Sequence, residues 1–340
     1  MPAAAENYDH RRTMVARAFR WKLIAAFAAV YFIWGSTYLA IRYAIETLPP
    51  LTMAGGRFVI AGAILYGWAR VRGAPLPLHR HWREAALIGA LLLLVGNGGV
   101  VYAERLIPSG LTALLIATEP LCVVLLDWLR PGGRRPTPAV AAGLVLGFAG
   151  AALLFSPSTG AESVPINMIG ALSALVASLS WAAGSLYSIR SEQPASPLLA
   201  TGMQLLAGGV LLLAAGLLAG EWNSLDLAAG SLRSWLALAY LLVFGSLVAF
   251  TAYVWLLKVA TPAHVSTSAY VNPVIAVFLG WLLAGEVVTS RMILAAAVII
   301  AAVIVITGHQ GSIAREAHCS AGISQTALPI LAEDEVPASK

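Results

Sequence analysis

Long apolar runs, each about as long as a membrane-crossing helix, recur along the chain between residues 22 and 308. An α-helix needs about 20 apolar residues to cross about 30 Å of hydrocarbon. Short segments rich in proline, glycine and charged residues separate the runs, as is typical of turns. The pattern predicts ten spans, at 22–41, 51–69, 84–103, 110–129, 138–155, 167–189, 198–219, 232–257, 264–284 and 290–308.

The composition agrees with a polytopic membrane protein. Of 340 residues, 59% are hydrophobic and 11% are charged, and the mean hydropathy is +0.81. Soluble proteins are typically about 45–50% apolar and about 25% charged. The sequence therefore predicts an all-α membrane protein and leaves little room for a soluble domain.

The lysines and arginines predict the orientation of the chain in the membrane. If the N-terminus is cytoplasmic, the inner segments carry 16 of these residues and the outer segments carry 4, while Arg57 lies within a span. Because cytoplasmic loops carry an excess of Lys and Arg, we expect a multi-pass cell-membrane protein with both termini inside. No clustered basic face with interleaved aromatic residues is present, so nucleic acid is not an expected partner.

The remaining composition predicts no cofactor and no metal. Cys122 lies in an apolar span and Cys319 in the polar tail, and no Cys/His cluster occurs. The basic residues together with the apolar run that follows them resemble a signal peptide. That apolar run is longer than the apolar part of a typical signal peptide, so we expect an uncleaved first span. Residues 1–21 are predicted to be a cytoplasmic segment, and 309–340 a disordered cytoplasmic tail.

The chain contains the same unit twice. Three pairs of segments show it: WGSTYLAIR at 34 with WAAGSLYSIR at 181, PLTMAGGRF at 50 with PLLATGMQL at 197, and EPLCVVLLDWLRPGG at 119 with NPVIAVFLGWLLAGE at 272. The first two pairs are 147 residues apart and the third is 153 apart. Each unit, 22–155 and 167–308, holds five spans, so the second enters the membrane inverted. Inverted repeats recur in transporters, although a duplication retained for folding alone is the alternative.

These motifs, with VGNGGVVYAE and PSG, resemble the EamA-type branch of the drug/metabolite transporter superfamily, over about residues 20–308. The resemblance implies ten helices in two inverted repeats. It also implies a central cavity lined mainly by spans 1–4 and 6–9, with spans 5 and 10 peripheral. The implied activity is export of small metabolites or drugs across the cell membrane.

Two positions depart from the family pattern. Span 9 ends in the expected Gly285-Glu286, but the matching place after span 4 is Gly132-Gly133, so an acidic residue is missing there. Glu119 stands where relatives commonly carry an apolar or small polar residue.

Glu119 lies about halfway along span 4. A charged carboxylate at the centre of a membrane helix costs about 2.5–3.5 kcal/mol on insertion scales. We therefore expect it to face the cavity, to pair with a cation or to be protonated. Since an apolar environment disfavours the charged form, it could carry a proton for coupling; the alternative is a structural hydrogen bond. Its repeat partner is Asn272.

Arg57 is the seventh residue of span 2, roughly 9 Å below the outer surface of the hydrocarbon core. Its repeat partner is Gln204. Because arginine keeps its proton, it needs an anion, carbonyl groups or water. The anion could be Glu119 or a substrate carboxylate or phosphate.

Further polar and aromatic residues complete the predicted substrate pathway. Asn97, within Gly96–Gly99, must find a partner in the protein or in cavity water, and its glycine neighbours allow close helix packing. Pro120 and Pro273 occupy matching places and each frees a carbonyl. Aromatic and hydroxyl groups on spans 1, 6 and 9 form a lining suited to organic molecules: Trp34, Ser36, Tyr38, Trp181, Ser185, Tyr187 and Tyr270.

Charged residues near the ends of spans are interpreted as interfacial. Glu104 and Arg105 are expected to form a local ion pair at the outer face. Asp127, beside Arg130, is expected to anchor the inner end of span 4.

The sequence as a whole predicts a secondary transporter that works by alternating access and exports its substrate, with Glu119 as the candidate residue for proton coupling. Its expected partners are a small-molecule substrate and the lipid bilayer; a homodimer is left open. No Walker A motif occurs, so an ATP-driven motor is unsupported. An integral membrane enzyme acting on a lipid-linked substrate, a channel and a sensor are the alternatives; no catalytic residue is predicted.

Overall fold

The computed structural model describes residues 19–133, 135–155, 166–226, 228–260, 268–306 and 308. Every regular element within them is helical. The predicted tail at 309–340 and most of the N-terminal segment lie outside the described residues. The ten main helices are α1 Phe19–Ala44, α2 Pro50–Val71, α3 His79–Glu104, α4 Ser109–Leu129, α5 Pro138–Leu153, α6 Met168–Ser188, α7 Pro197–Leu218, α8 Leu232–Tyr240 continuing through Leu241–Val248 and Ala249–Val259, α9 Ser268–Ala284 and α10 Ser290–Ile306.

Seven of these helices are long and apolar enough to cross a membrane, and α5, α9 and α10 are shorter apolar helices. The predicted all-α fold of ten helices is confirmed. α3 begins five residues before its predicted start because its first turn, from His79, is polar and gives no hydropathy signal. The predicted start of span 9, residues 264–267, lies outside the described residues.

Proline and hydroxyl residues fix where several helices begin. Pro50, Pro138 and Pro197 are the first residues of α2, α5 and α7, where the missing amide would have no partner in the helix. The side chains of Thr137 and Ser196 accept hydrogen bonds from backbone amides in the first turns of α5 and α7. These caps satisfy amides that the helix itself leaves open.

Contacts between helix ends show that α1, α3 and α9 end on the side of the bundle where α8 begins. Arg42 Nη1 donates to the Glu104 carbonyl (2.6 Å), which joins the ends of α1 and α3. Tyr43 Oη donates to the Leu283 carbonyl (2.8 Å), and Ser234 Oγ donates to the Tyr43 carbonyl (2.7 Å). Following the predicted orientation, we name this side the outer end of the bundle.

The opposite side, the inner end, is held by different groups. Tyr187 at the end of α6 donates to the Glu84 carboxylate near the start of α3 (2.5 Å). Arg80 forms an ion pair with Glu192 (2.9 Å), which joins the start of α3 to the segment that follows α6.

Two helix pairs pack closely through glycines, one inside the bundle and one at its side. α2 and α7 cross through Gly55, Gly62, Gly202 and Gly209, where small residues allow the backbones to approach. α5 packs against α10 at the side of the bundle, with Gly143 facing Ile306 and Gly150 facing Ile299. The peripheral place expected for spans 5 and 10 follows from this pairing, since neither helix reaches the centre.

Three helices depart from regular α geometry near the centre. α3 and α8 contain π-helical segments at Ala90–Asn97 and Leu241–Val248, which are repeat-related positions, and α1 contains one at Ala29–Ile33. π-helical turns often occur at functional sites. α4 is interrupted between Ile116 and Glu119, just before Pro120, whereas α9 remains helical through Pro273. Of the two repeat-related prolines, Pro120 therefore follows an interruption of its helix, whereas Pro273 does not.

Candidate functional site

A cavity of about 270 Å³ lies at the centre of the bundle. Its lining comes from α1, α2, α3, α4, α6, α8 and α9. Among the described lining residues, α7 contributes none, contrary to the expectation for spans 6–9, because it packs against α2 and α3. The lining residues of α8 and α9 lie in the halves of those helices nearer the inner end.

Most of the predicted pathway residues come together at this cavity. Those that line it are Trp34, Tyr38, Arg57, Asn97, Glu119, Trp181, Ser185 and Asn272, together with Pro120 and Pro273. They come from six helices and from both repeats, so the cavity is a joint product of the two sequence units.

Four predicted residues do not line the cavity. Ser36 turns away and bonds to the hydroxyl of Tyr240 on α8 (2.6 Å). Tyr187 is bonded to Glu84 at the inner end, and Gln204 donates to the Gln193 side chain (3.0 Å). Tyr270 packs against an apolar cluster to which α4, α5 and α10 contribute most of the residues. Ser36, Tyr187 and Tyr270 lie on helices that also carry lining residues, but their side chains point in other directions around the helix axis. Gln204 lies on α7, which contributes no described lining residue.

Arg57 is 6% exposed and lies beside the cavity. Its guanidinium carbon is 4.1 Å from the centroid of the Phe58 ring, and its Nε has no hydrogen-bond partner. The ion pairs among the described residues do not join it to Glu119, so the predicted pairing of these two residues is absent here. A guanidinium cannot shed its proton, and a buried one therefore attracts an anion or water.

Glu119 is the first residue of the second segment of α4, Glu119–Leu129, and it is partly exposed to the cavity. Thr118, just before it, uses its hydroxyl to bond the Leu115 carbonyl (2.7 Å). Tyr38 and Tyr253, on α1 and α8, line the same cavity as Glu119. The carboxyl group thus meets the cavity at a helix N-terminus, where partial positive charge favours an anion.

Two amide side chains supply further unsatisfied atoms. Asn97, at the end of the π-helical segment of α3, and Asn272 on α9 each have a buried Oδ1 without a hydrogen-bond partner. Leaving a buried polar atom unsatisfied costs about 1–3 kcal/mol. With Arg57, they place one unpaired donor and two unpaired acceptors in side chains that line the cavity.

Aromatic rings form the apolar part of the lining. The Trp34 ring is 5.0 Å from Tyr253 and 5.9 Å from Phe250, measured between ring centroids. Trp34 Nε1 donates to the Gly245 carbonyl (3.3 Å), which fixes the indole against α8. The sequence analysis predicted no pathway residue on span 8. The available signal was the spacing of Ser246, Phe250 and Tyr253, which places all three side chains on one face of the helix.

Charged residues outside the cavity gave one correct and one wrong prediction. Asp127 bonds to Arg130 (2.5 Å) at the inner end of α4, as predicted, and it also lies 3.9 Å from Arg190. The predicted pair of Glu104 with Arg105 is wrong. Glu104 is fully buried and neither of its carboxylate oxygens has a hydrogen-bond partner, because α3 continues the bundle interior up to its last residue.

Comparison with known proteins decides the family. Residues 20–156 and 168–308 each match the EamA-like transporter family. The chain belongs to this family. Its EamA units are all-helical and duplicated, and they form the ten-helix fold described above.

Relatives carry transporter names. The chain is 42% identical over 286 residues to the uncharacterized inner membrane transporter YedA of Escherichia coli K12, which covers 84% of this chain and 90% of that protein. It is 25% identical to the uncharacterized transporter YoaV of Bacillus subtilis, over 81% of this chain and 93% of YoaV. Among solved structures, one crystal structure matches with a TM-score of 0.57 at 23% identity, over 84% of this chain and 97% of that one, which supports the fold. The EamA protein described here is a membrane transporter.

Within the described residues, no group of three or more His, Cys, Asp or Glu side chains could hold a metal ion. The chemistry of the cavity therefore comes from one guanidinium, one carboxyl group, two amides, hydroxyl groups and aromatic rings.

Proposed function

We propose that this protein is a secondary transporter that exports a small organic molecule across the cell membrane by alternating access. The observation that supports it is the central cavity, where Arg57, Asn97 and Asn272 place polar atoms without protein partners. The cavity lies between helices of two inverted repeats, which is where transporters of this architecture bind their substrates. Movement of one repeat against the other would expose such a site to one side at a time.

The lining indicates the chemistry of the substrate. Arg57 is suited to an anionic group, such as a carboxylate or phosphate, because its guanidinium presents several donors in one plane. Trp34, Phe250 and Tyr253 are suited to an apolar part of the molecule. The volume of about 270 Å³ restricts the occupant to a small metabolite or drug.

Glu119 is the proposed proton carrier. It lines the cavity and lacks an ion-pair partner among the described residues. When the cavity faces one side of the membrane, this carboxyl group can release a proton to that side. When the cavity faces the other side, the same group can take up a proton there. Uptake from outside and release inside would drive export of the substrate in exchange.

The proposed location is the cell membrane, with both termini in the cytoplasm. The distribution of 16 Lys and Arg residues inside and 4 outside supports this orientation. The relative YedA is named an inner membrane transporter, which agrees with the proposed membrane.

Counterflow in proteoliposomes tests the proposal. A substrate is first found by screening small molecules for thermal stabilisation of the purified protein, since ligands that bind the folded state raise its melting temperature. Preloaded unlabelled substrate should then stimulate uptake of labelled substrate, which a channel does not show. Glu119→Gln should keep this exchange and lose the acceleration by a pH gradient, while Glu46→Gln, at an exposed position, should retain both.

Absence of counterflow with a ligand that binds would argue for a channel or a sensor. Intact acceleration by a pH gradient in Glu119→Gln would remove proton coupling through this residue and leave the transporter proposal in place.

A further inference from the structure

Glu286, two residues after the end of α9, joins the outer ends of the two repeats. Its Oε1 accepts hydrogen bonds from the amide of Ser109 (2.8 Å) and from the Ser109 hydroxyl (2.7 Å). Its Oε2 accepts from the amide of Gly110 (3.0 Å). Ser109 and Gly110 are the first residues of α4, so one carboxylate satisfies amides that open the helix. Charge-assisted bonds of this kind are stronger than neutral ones.

Two glycines allow this contact to form. Gly285 has φ +64°, which reverses the chain after α9 and is unfavourable for other residues. The Glu286 amide then donates to the Gly280 carbonyl (3.0 Å), so the glutamate folds back over its own helix. A Cβ at Gly280 would lie 2.5 Å from Glu286 Oε2, closer than atoms can approach. The carboxylate therefore occupies the space that a side chain at Gly280 would need.

This contact joins the two repeats on the outer side of the cavity. α4 belongs to the first repeat and α9 to the second, and both helices line the cavity. Tyr43 at the end of α1 adds a second link to α9 through the Leu283 carbonyl. Opening the outer side would separate α9 from α4 and would break all three bonds to Glu286.

The inner end lacks the equivalent group. The residue that corresponds to Glu286 in the first repeat, 153 residues earlier, is Gly133. A Cβ at Gly133 would collide with the Asp127 carbonyl oxygen, so its backbone leaves no room for a side chain. The carboxylate is thus lost both from the sequence and from the local geometry. The described bonds of Asp127 at this end go to Arg130 and Arg190, and these residues follow α4 and α6.

We propose that Glu286 is a latch that keeps the outer side of the cavity closed, and that its absence at the inner end biases the resting protein toward the outer-closed state. This inference rests on the alternating access of the proposed function. Two inverted repeats with equal latches would have similar outer-closed and inner-closed states. A latch in one repeat alone lowers the free energy of one state only, and so shifts the populations.

Accessibility of a single cysteine tests the latch without any substrate. The reporter is Ile41→Cys, which lines the cavity three residues before the end of α1, in a background with Cys122→Ala and Cys319→Ser. A membrane-impermeant, positively charged methanethiosulfonate is applied to one side of proteoliposomes. Arg105→Cys, at an exposed position at the outer end, identifies that side.

Glu286→Gln should raise the labelling rate of the reporter from the outer side about tenfold, because an amide nitrogen cannot accept a bond from Gly110. Gly280→Ala should raise it similarly, since its methyl group displaces the carboxylate that is still present. The matched control is Glu221→Gln. Glu221 accepts bonds from the amides of Leu51 and Thr52 at the start of α2, with the same chemistry. Its loss should leave the labelling rate unchanged, because α2 and α7 stay packed through their glycines.

Unchanged labelling in both Glu286→Gln and Gly280→Ala would overturn the latch, and so would an equal rise in Glu221→Gln. The parent protein is tested for counterflow in parallel. If the parent protein shows no counterflow, that result counts against the proposed function. If it shows counterflow but the variants are not labelled faster, that result counts against the latch alone.

Discussion

Gly55 of α2 and Gly209 of α7 approach each other reciprocally. A Cβ at Gly55 would lie 2.9 Å from the Gly209 carbonyl oxygen, and a Cβ at Gly209 would lie 3.0 Å from that of Gly55. Gly62 and Gly202 form the second such pair, at 2.9 and 3.2 Å. Gly202 and Gly209 are 147 residues after Gly55 and Gly62, the offset of the sequence repeat. The crossing of α2 and α7 is therefore a contact between equivalent surfaces of the two repeats.

This contact predicts that Gly55→Ala destabilises the protein by about 1–3 kcal/mol, the usual cost of overpacking. The added methyl group would meet the backbone of Leu213 as well as that of Gly209. Gly56→Ala is the matched control, because a Cβ at Gly56 has nothing within 4 Å. Thermal unfolding of the purified variants in detergent measures the difference. Equal melting temperatures for the two variants would contradict the tight crossing.

Arg57→Gln is expected to separate binding from stability. It should weaken binding of an anionic ligand at least about tenfold, because losing one partner of a buried charged pair typically costs about 2–5 kcal/mol. Without ligand it should not lower the melting temperature, since the guanidinium is buried with an unpartnered Nε and burial of unpaired charge is costly. Arg105→Gln, at an exposed position, should change neither quantity.

Ligand titration and thermal unfolding of the same preparations check both parts of this prediction. A large loss of stability in Arg57→Gln, with ligand affinity retained, would assign the residue a structural role.

Substitutions of Trp34 and Tyr187 are expected to affect different properties, ligand affinity for Trp34 and stability for Tyr187. Trp34→Leu should weaken ligand binding, because the indole lines the cavity beside Phe250 and Tyr253. Tyr187→Phe should leave affinity unchanged but lower stability by about 1–3 kcal/mol, because it removes the hydrogen bond to the largely buried Glu84. Binding titrations decide the first part and unfolding the second. Weaker binding in Tyr187→Phe would return this residue to the pathway.

The bond between Ser36 and Tyr240 predicts energetic coupling between α1 and α8. The two hydroxyl oxygens are 2.6 Å apart, and Ser36 also donates to the Ile33 carbonyl (2.8 Å). In a double-mutant cycle of Ser36→Ala and Tyr240→Phe, we expect a coupling energy of about 0.5–1.5 kcal/mol in the free energy of unfolding. Additive effects of the two substitutions would show that the bond contributes nothing to stability.

The sequence by itself determined the helices and much of the cavity. Helix positions follow from the apolar length that a bilayer requires, and the inverted repeat follows from five spans in each unit. Arg57, Asn97 and Glu119 could be assigned to the interior because a polar group at membrane depth must avoid lipid. This reasoning uses depth along the helix, which can be counted from the sequence.

Direction around the helix axis is different, because it depends on which neighbour packs where. Ser36 and Trp34 lie two positions apart, yet one bonds outside the cavity and the other lines it. Hydropathy did not distinguish Phe250 and Tyr253 from lipid-facing residues, since an aromatic ring is as stable in lipid as in a protein interior. Only the tertiary structure placed them, and only the chain reversal at Gly285 brought Glu286 to α4, a contact between residues 177 positions apart. Hydropathy fixes how deep each residue lies, whereas packing between helices decides what it faces.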